Sequence, residues 1–120
     1  MTVFDASALL AFLKGEPGAA MVAARLEDGV CGAANWSEVA QKVGQAGADW
    51  PLARELLLSY GLHIEPVSGP DGEAAARLWR AGSGLSLGDR LCLALGQRLG
   101  RDVLTTDTAW DGIPGVVLAR

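Results

Sequence analysis

One histidine, two cysteines and one tyrosine among 120 residues leave little material for several common chemistries. Cys31 and Cys92 lie far apart and neither belongs to a CxxC or His/Cys cluster, so zinc lacks ligands and a disulfide is unneeded. Two buried free thiols are expected. His63 falls in an edge-like strand and is read as lying beside no acid, which leaves it without an orienting partner for general-base work. No GxSxG elbow, GxGxxG turn or GxxxxGK[ST] loop occurs, so a nucleophilic serine and dinucleotide or Walker-type phosphate binding lose support. Half the residues are apolar, yet no apolar run approaches the roughly 20 residues that a bilayer crossing needs. The opening Met1-Thr2-Val3-Phe4-Asp5 has no basic segment and carries an acid where a signal peptide would be hydrophobic. A soluble, cytoplasmic protein without a membrane partner is expected.

What is present is a regular alternation of short apolar runs and helical patterns. Val3-Phe4, Val30-Cys31, Leu62 to Val67, Val103 to Thr106 and Val116 to Leu118 read as strands. Between them lie helices from Ser7 to Lys14 closed by Gly15, from Pro17 to a stop near Gly29, and from an Asn35 cap to about Ala46. Further helices start at Asp49-Trp50-Pro51 and end at Tyr60-Gly61, open at Pro70 and break at Gly82-Ser83-Gly84, and run from a Ser86 cap to Leu99-Gly100. Strands separated by helices imply right-handed crossovers. The expected fold is a three-layer α/β/α sandwich with a mainly parallel, roughly five-stranded sheet, one domain over residues 1–120.

Four acids occupy places that such a fold could bring together. Asp5 ends the first strand and Asp107 the fourth, while Glu38 and Asp89 are read in the first turns of two helices. If strands 1 and 4 are parallel neighbours, all four approach the carboxyl edge of the sheet, where open α/β folds bind ligands. Converging carboxylates repel by roughly 1 to 4 kcal/mol per close pair, and so ask for a cation. All-oxygen ligation suits Mg²⁺ or Mn²⁺ and phosphate chemistry. A blander account also fits: Asn35 to Glu38 and Ser86 to Asp89 both read as capping boxes. Asp111 is a possible fifth member or an ordinary loop acid, and Glu16, Asp28 and Glu65 read as solvated. Net charge is −4, but setting the four acids aside leaves ten acids against ten bases. Arg77, Arg80, Arg90, Arg98 and Arg101 surround Asp89 in sequence with no other acid between them. Arg77, Arg80 and Arg90 are candidate RNA-contacting residues, or simply solvated helix faces.

Val3-Phe4-Asp5-Ala6-Ser7-Ala8-Leu9-Leu10-Ala11 resembles the opening of PIN-domain nucleases. The resemblance continues in Ser37-Glu38-Val39-Ala40, in Leu87-Gly88-Asp89-Arg90-Leu91-Cys92-Leu93-Ala94 and in Leu104-Thr105-Thr106-Asp107-Thr108-Ala109-Trp110. Order and spacing are similar throughout, most of all to the VapC-type toxins of bacterial toxin–antitoxin pairs. The resemblance implies that Asp5, Glu38, Asp89 and Asp107 hold Mg²⁺ or Mn²⁺ and catalyse hydrolysis of RNA. It also implies pocket hydroxyls at Ser7 and Thr105, although Ser7 could cap the first helix and Thr105 could satisfy its strand. Implied partners are a second copy of the chain and a cognate antitoxin. Phe12, Leu13 and Met21 on the first two helices are candidates for an antitoxin groove, or for the core. Trp36, Trp79 and Trp110 could stack bases or pack internally. Gly88 and the Gly82-Ser83-Gly84 break loosen the expected start of the Asp89 helix. Two other readings stand beside the nuclease: a non-catalytic RNA-binding or receiver-like module, and a phosphatase with Asp5 as nucleophile, for which the second acid two residues later is missing.

Overall fold

Strands that are buried at every position belong in a sheet covered on both faces, and this chain has three of them. The computed structural model describes residues 1–120. Strands β1 (Val3–Phe4), β2 (Val30–Gly32) and β4 (Val103–Thr105) are buried throughout, while β3 (His63–Glu65) and β5 (Val116–Leu118) form the two edges. The order is β3-β2-β1-β4-β5 and every pairing is parallel. Helices α1 (Ala6–Lys14), α2 (Ala19–Arg25), α3 (Ala33–Gln45), α4 (Trp50–Ser59), α5 (Gly69–Arg77) and α6 (Leu87–Leu99) complete the expected three-layer sandwich. None of them is long and apolar enough to cross a membrane.

Alternation along the strands divides the interior into two cores. Phe4, Cys31 and Leu104 face one side, where they pack with Leu9, Leu10, Val22, Val39 and Leu57 from α1 to α4. Val3, Val30 and Val103 face the other side, against Cys92, Leu93 and Leu95 of α6 and the buried Trp110. The pairings Val3↔Val103 and Phe4↔Leu104 fix β1 beside β4, so the residues after both strands leave the sheet together. Phe12, Leu13 and Met21 are partly buried against the first core.

Several boundaries differ from expectation. Strand β2 runs directly into α3 with Gly32 at its N-cap, so Asn35 lies inside the helix and Glu38 falls in the second turn. The Asn35 to Glu38 capping box therefore does not form. Asn35 Nδ2 instead donates to the Gly88 carbonyl at 3.2 Å, bracing the start of α6 against α3. Helix α2 starts after Gly18 rather than at Pro17, because Gly18 has φ +96 and packs against the Ala119 backbone. Helix α5 opens one residue before Pro70 behind a Ser68/Asp71 capping box and ends before Trp79. The start of α6 is firm despite Gly88, since Ser86 and Asp89 cap it reciprocally. Gly15 and Gly100 close α1 and α6 in the left-handed conformation that glycine adopts without strain.

Gly96 lets α6 sit on β4, since a Cβ there would collide with the Val103 side chain. Gly96→Ala should destabilise the fold by about 1–3 kcal/mol, outweighing the roughly 1 kcal/mol that alanine gains in helix propensity. Urea unfolding of the two proteins measures the difference; an unchanged or higher midpoint would contradict this packing.

Candidate active site

An acid that directly follows a buried strand must find hydrogen-bond donors, and Asp5 finds them at the start of α1 and at the end of β4. It is the N-cap of α1 and accepts from the Ala8 amide through Oδ1 at 2.9 Å. The Ser7 hydroxyl donates to the same carboxylate at 2.8 Å, and the Thr105 hydroxyl donates to Oδ2 at 2.6 Å. Those two hydroxyl oxygens in turn accept from the backbone leaving β4: Thr106 N–H to Ser7 at 3.0 Å and Asp107 N–H to Thr105 at 3.1 Å. Asp5 is thereby tied through two hydroxyls to the segment that carries Asp107. Ser7 is not the helix cap, a part that Asp5 takes.

Asp107 caps a single 3-10 turn, Thr108–Trp110, with Oδ1 on the Ala109 amide. Asp89 commits Oδ2 to the Ser86 amide, so the capping account of this residue holds as local structure. The other oxygen of each carboxylate is not engaged by that cap. Glu38 is half-exposed and stands 3.9 Å from Lys42 one turn along α3. Asp5, Glu38, Asp89 and Asp107 all line one cavity of about 300 Å³, together with Ser7, Thr106, Leu10, Lys14, Glu16 and Lys42.

Burial pushes the Asp5 carboxyl up from 3.8 to about 6, against the lowering effect of its bonds from Thr105, Ala8 and Ser7; the charge of Asp89 adds to the rise. Burial likewise raises both free thiols, Cys31 and Cys92, which makes them poor nucleophiles.

No three acidic, histidine or cysteine side chains stand close enough to form a ready-made metal cage. Asp5, Asp89 and Asp107 each accept from a different backbone amide. The donor chemistry nonetheless fits a hard divalent ion: the lining offers oxygen ligands and no nitrogen or sulfur ligand. Mg²⁺ in particular keeps several waters and needs only one or two carboxylates.

Other sequence candidates lie elsewhere. Asp111 is exposed and outside the cavity lining. Arg77, Arg80 and Arg90 do not line it either: Arg80 folds back on the carbonyls of Arg77 and Trp79, and Arg90 donates to Ala75. Arg98 bonds Asp71 and Glu65. His63 does have an acid beside it, since its Nε2 is 2.7 Å from Glu65, so Glu65 is a paired residue rather than a merely solvated one. Both lie outside the cavity. Trp110 is core, Trp36 packs edge-on against Trp50, and only Trp79 is largely exposed. Glu16, read as solvated, is a wall of the cavity, as are Lys14 and Lys42. Lys42 was detectable as the i+4 neighbour of Glu38; Lys14 reaches the site from the last turn of α1, and Glu16 follows the left-handed Gly15 that closes that helix.

A parallel α/β sheet with its acid-lined cavity outside the carboxyl ends of β1 and β4 places the chain among open α/β proteins with their site at the strand ends. More specifically, the chain belongs to the PIN domain family, which matches residues 2–116. PIN domains are generally nucleases. Among solved structures, a toxin–antitoxin complex from Klebsiella pneumoniae has the same fold, with TM-score 0.81 and 23% identity over 100% of this chain and 98% of that one. No curated protein matches in sequence.

The Asp5 carboxyl ionises near 3.8 when unfolded and near 6 when folded, so the folded chain holds an extra proton in between and loses stability as pH rises through that window. The loss amounts to about 3 kcal/mol. Asp5→Asn should abolish it: in metal-free buffer the variant should gain about 3 kcal/mol relative to the parent between pH 4 and pH 7, measured by denaturant unfolding. Parallel stability curves for the two proteins would refute the buried-charge account.

Proposed function

We propose that this protein is a divalent-metal-dependent endoribonuclease and the toxin of a type II toxin–antitoxin pair. One observation carries the reading: Asp5, Glu38, Asp89 and Asp107, distant in sequence, line the same cavity at the carboxyl edge of the sheet. Membership of the PIN domain family and the toxin–antitoxin complex among proteins of the same fold support it. The whole chain then acts as one PIN domain.

Asp5, Asp89 and Asp107 would hold Mg²⁺ or Mn²⁺, with Glu38 bound directly or through water. When bound, the ion supplies an activated water and neutralises charge building on the phosphate. Ser7 and Thr105 hold the Asp5 carboxylate in place and keep it aligned with the Asp107 segment. Glu38 and Asp107 are exposed at the cavity rim and can accept a proton from water entering it. No side chain of the lining is a strong nucleophile, and Asp5 is held in place by three donors on its two oxygens and lacks a second acid two residues later, which speaks against the covalent phosphatase. Single-stranded RNA is the substrate class, because an unstacked backbone can bend into a recessed pocket. A homodimer in the cytoplasm, silenced by an antitoxin, completes the reading.

Purified protein should cut single-stranded RNA with Mn²⁺ and stop on chelation. Asp89→Asn and Asp107→Asn should each lower the rate by roughly 10²-fold or more while unfolding at an unchanged temperature, since metal-borne charge stabilisation is worth several kcal/mol. Cleavage that persists in both variants would defeat the nuclease reading.

A further inference from the structure

The chain has ten basic residues, of which only Lys14 and Lys42 are lysines, and both line the acid cavity. No arginine does. Each lysine lies in the last turn of its helix, α1 or α3, where the helix dipole favours a cation. That preference explains a positive charge but not the choice of lysine, because α2, α5 and α6 place Arg25, Arg77 and Arg98 at the equivalent position.

The arginines show what the difference achieves. Arg25 pairs with Asp102, and Arg98 closes on both Asp71 and Glu65. A planar guanidinium set among Asp5, Glu16, Glu38, Asp89 and Asp107 would close on carboxylates in the same two-pronged way and fill the cavity. Lysine is a compact point charge on a flexible stem. Lys42 stands 3.9 Å from Glu38, too far for a strong charge-assisted bond, with half its side chain exposed, and Lys14 has no ion-pair partner. Both ammonium groups remain available.

Five carboxylates against two ammonium groups leave the cavity negative, and a single divalent ion does not reverse the sign. A phosphate backbone approaching it meets favourable charge on the protein only at the two lysines. We propose that Lys14 and Lys42 bind the substrate backbone, their ammonium groups contacting RNA phosphates next to the one held at the carboxylates. This deepens the nuclease reading and rests on it.

Fluorescence anisotropy of a labelled single-stranded RNA with Mn²⁺, in the slow-cutting Asp89→Asn background and within a time too short for cleavage, tests the assignment. The Lys14→Ala/Lys42→Ala pair should weaken binding to a similar degree for RNAs of different sequence. It should also flatten the dependence of log affinity on log salt by about 1.4, or 0.7 for each lost phosphate contact on a single strand. Lys14→Arg/Lys42→Arg should restore most of that slope. Mn²⁺ affinity without RNA should be unchanged or tighter in the alanine pair, a result that separates substrate contact from support of the metal site. If the salt slope and affinity of the alanine pair equal the parent's while wild-type protein still cuts RNA, the lysine assignment fails and the nuclease reading stands. If wild-type protein neither binds nor cuts RNA, both fail.

Discussion

The Asp5 carboxylate is the point on which the site turns. It is 5% exposed, sits at the end of the central strand β1, and is reached by one amide and two hydroxyl donors. A buried charge is tolerable only when such donors are fixed in advance. Here they come from both sides of the β1–β4 junction, Ser7 and Ala8 from α1 and Thr105 from β4. The same hydroxyls accept from the backbone ahead of Asp107, so satisfying one acid orients the segment that bears the next.

Around that fixed acid, the others are held by local devices that would exist without any site. Asp89 belongs to the cap of α6 and Asp107 to the cap of a short turn. Capping points a carboxylate at the amino end of a helix, and in a parallel sheet helix starts collect at the carboxyl edge of the strands. Capping and convergence are therefore one arrangement rather than rival explanations. Asn35, which braces α3 against the carbonyl of Gly88, holds the two helix starts together. The outcome is a cavity with strained electrostatics, in which burial and the nearby Asp89 charge both raise the affinity of Asp5 for a proton. A cation relieves the same strain, which is the physical link between an acid-lined cavity and metal-assisted chemistry.

The cations divide between the scaffold and the cavity. Arg98 joins β3, α5 and α6 through Glu65 and Asp71, with His63 on the other side of Glu65. Arg90 ties α6 to α5 through the Ala75 carbonyl. These residues fasten the layer that carries Asp89, and they do so away from the cavity. A basic run in sequence thus became scaffold, while the positive charge at the site came from two residues in other helices.

The amino-acid sequence by itself determined the alternation of strands and helices, the edge position of β3, and the ends of α4 and α6, because caps, glycine stops and apolar periodicity act within one or two turns. It also located Asp5 and Asp107, whose place after a buried strand is a local property. Only the tertiary structure decided where Glu38 points, since its phase depends on β2 entering α3 without a loop and on Gly32 as the cap. The same holds for Lys14 and Glu16 at the cavity wall, which Lys42 joins as the i+4 neighbour of Glu38, and for the partners of His63, Arg90 and Arg98. Such contacts depend on strand order and on how helices rotate against one another, and no short stretch of sequence encodes either.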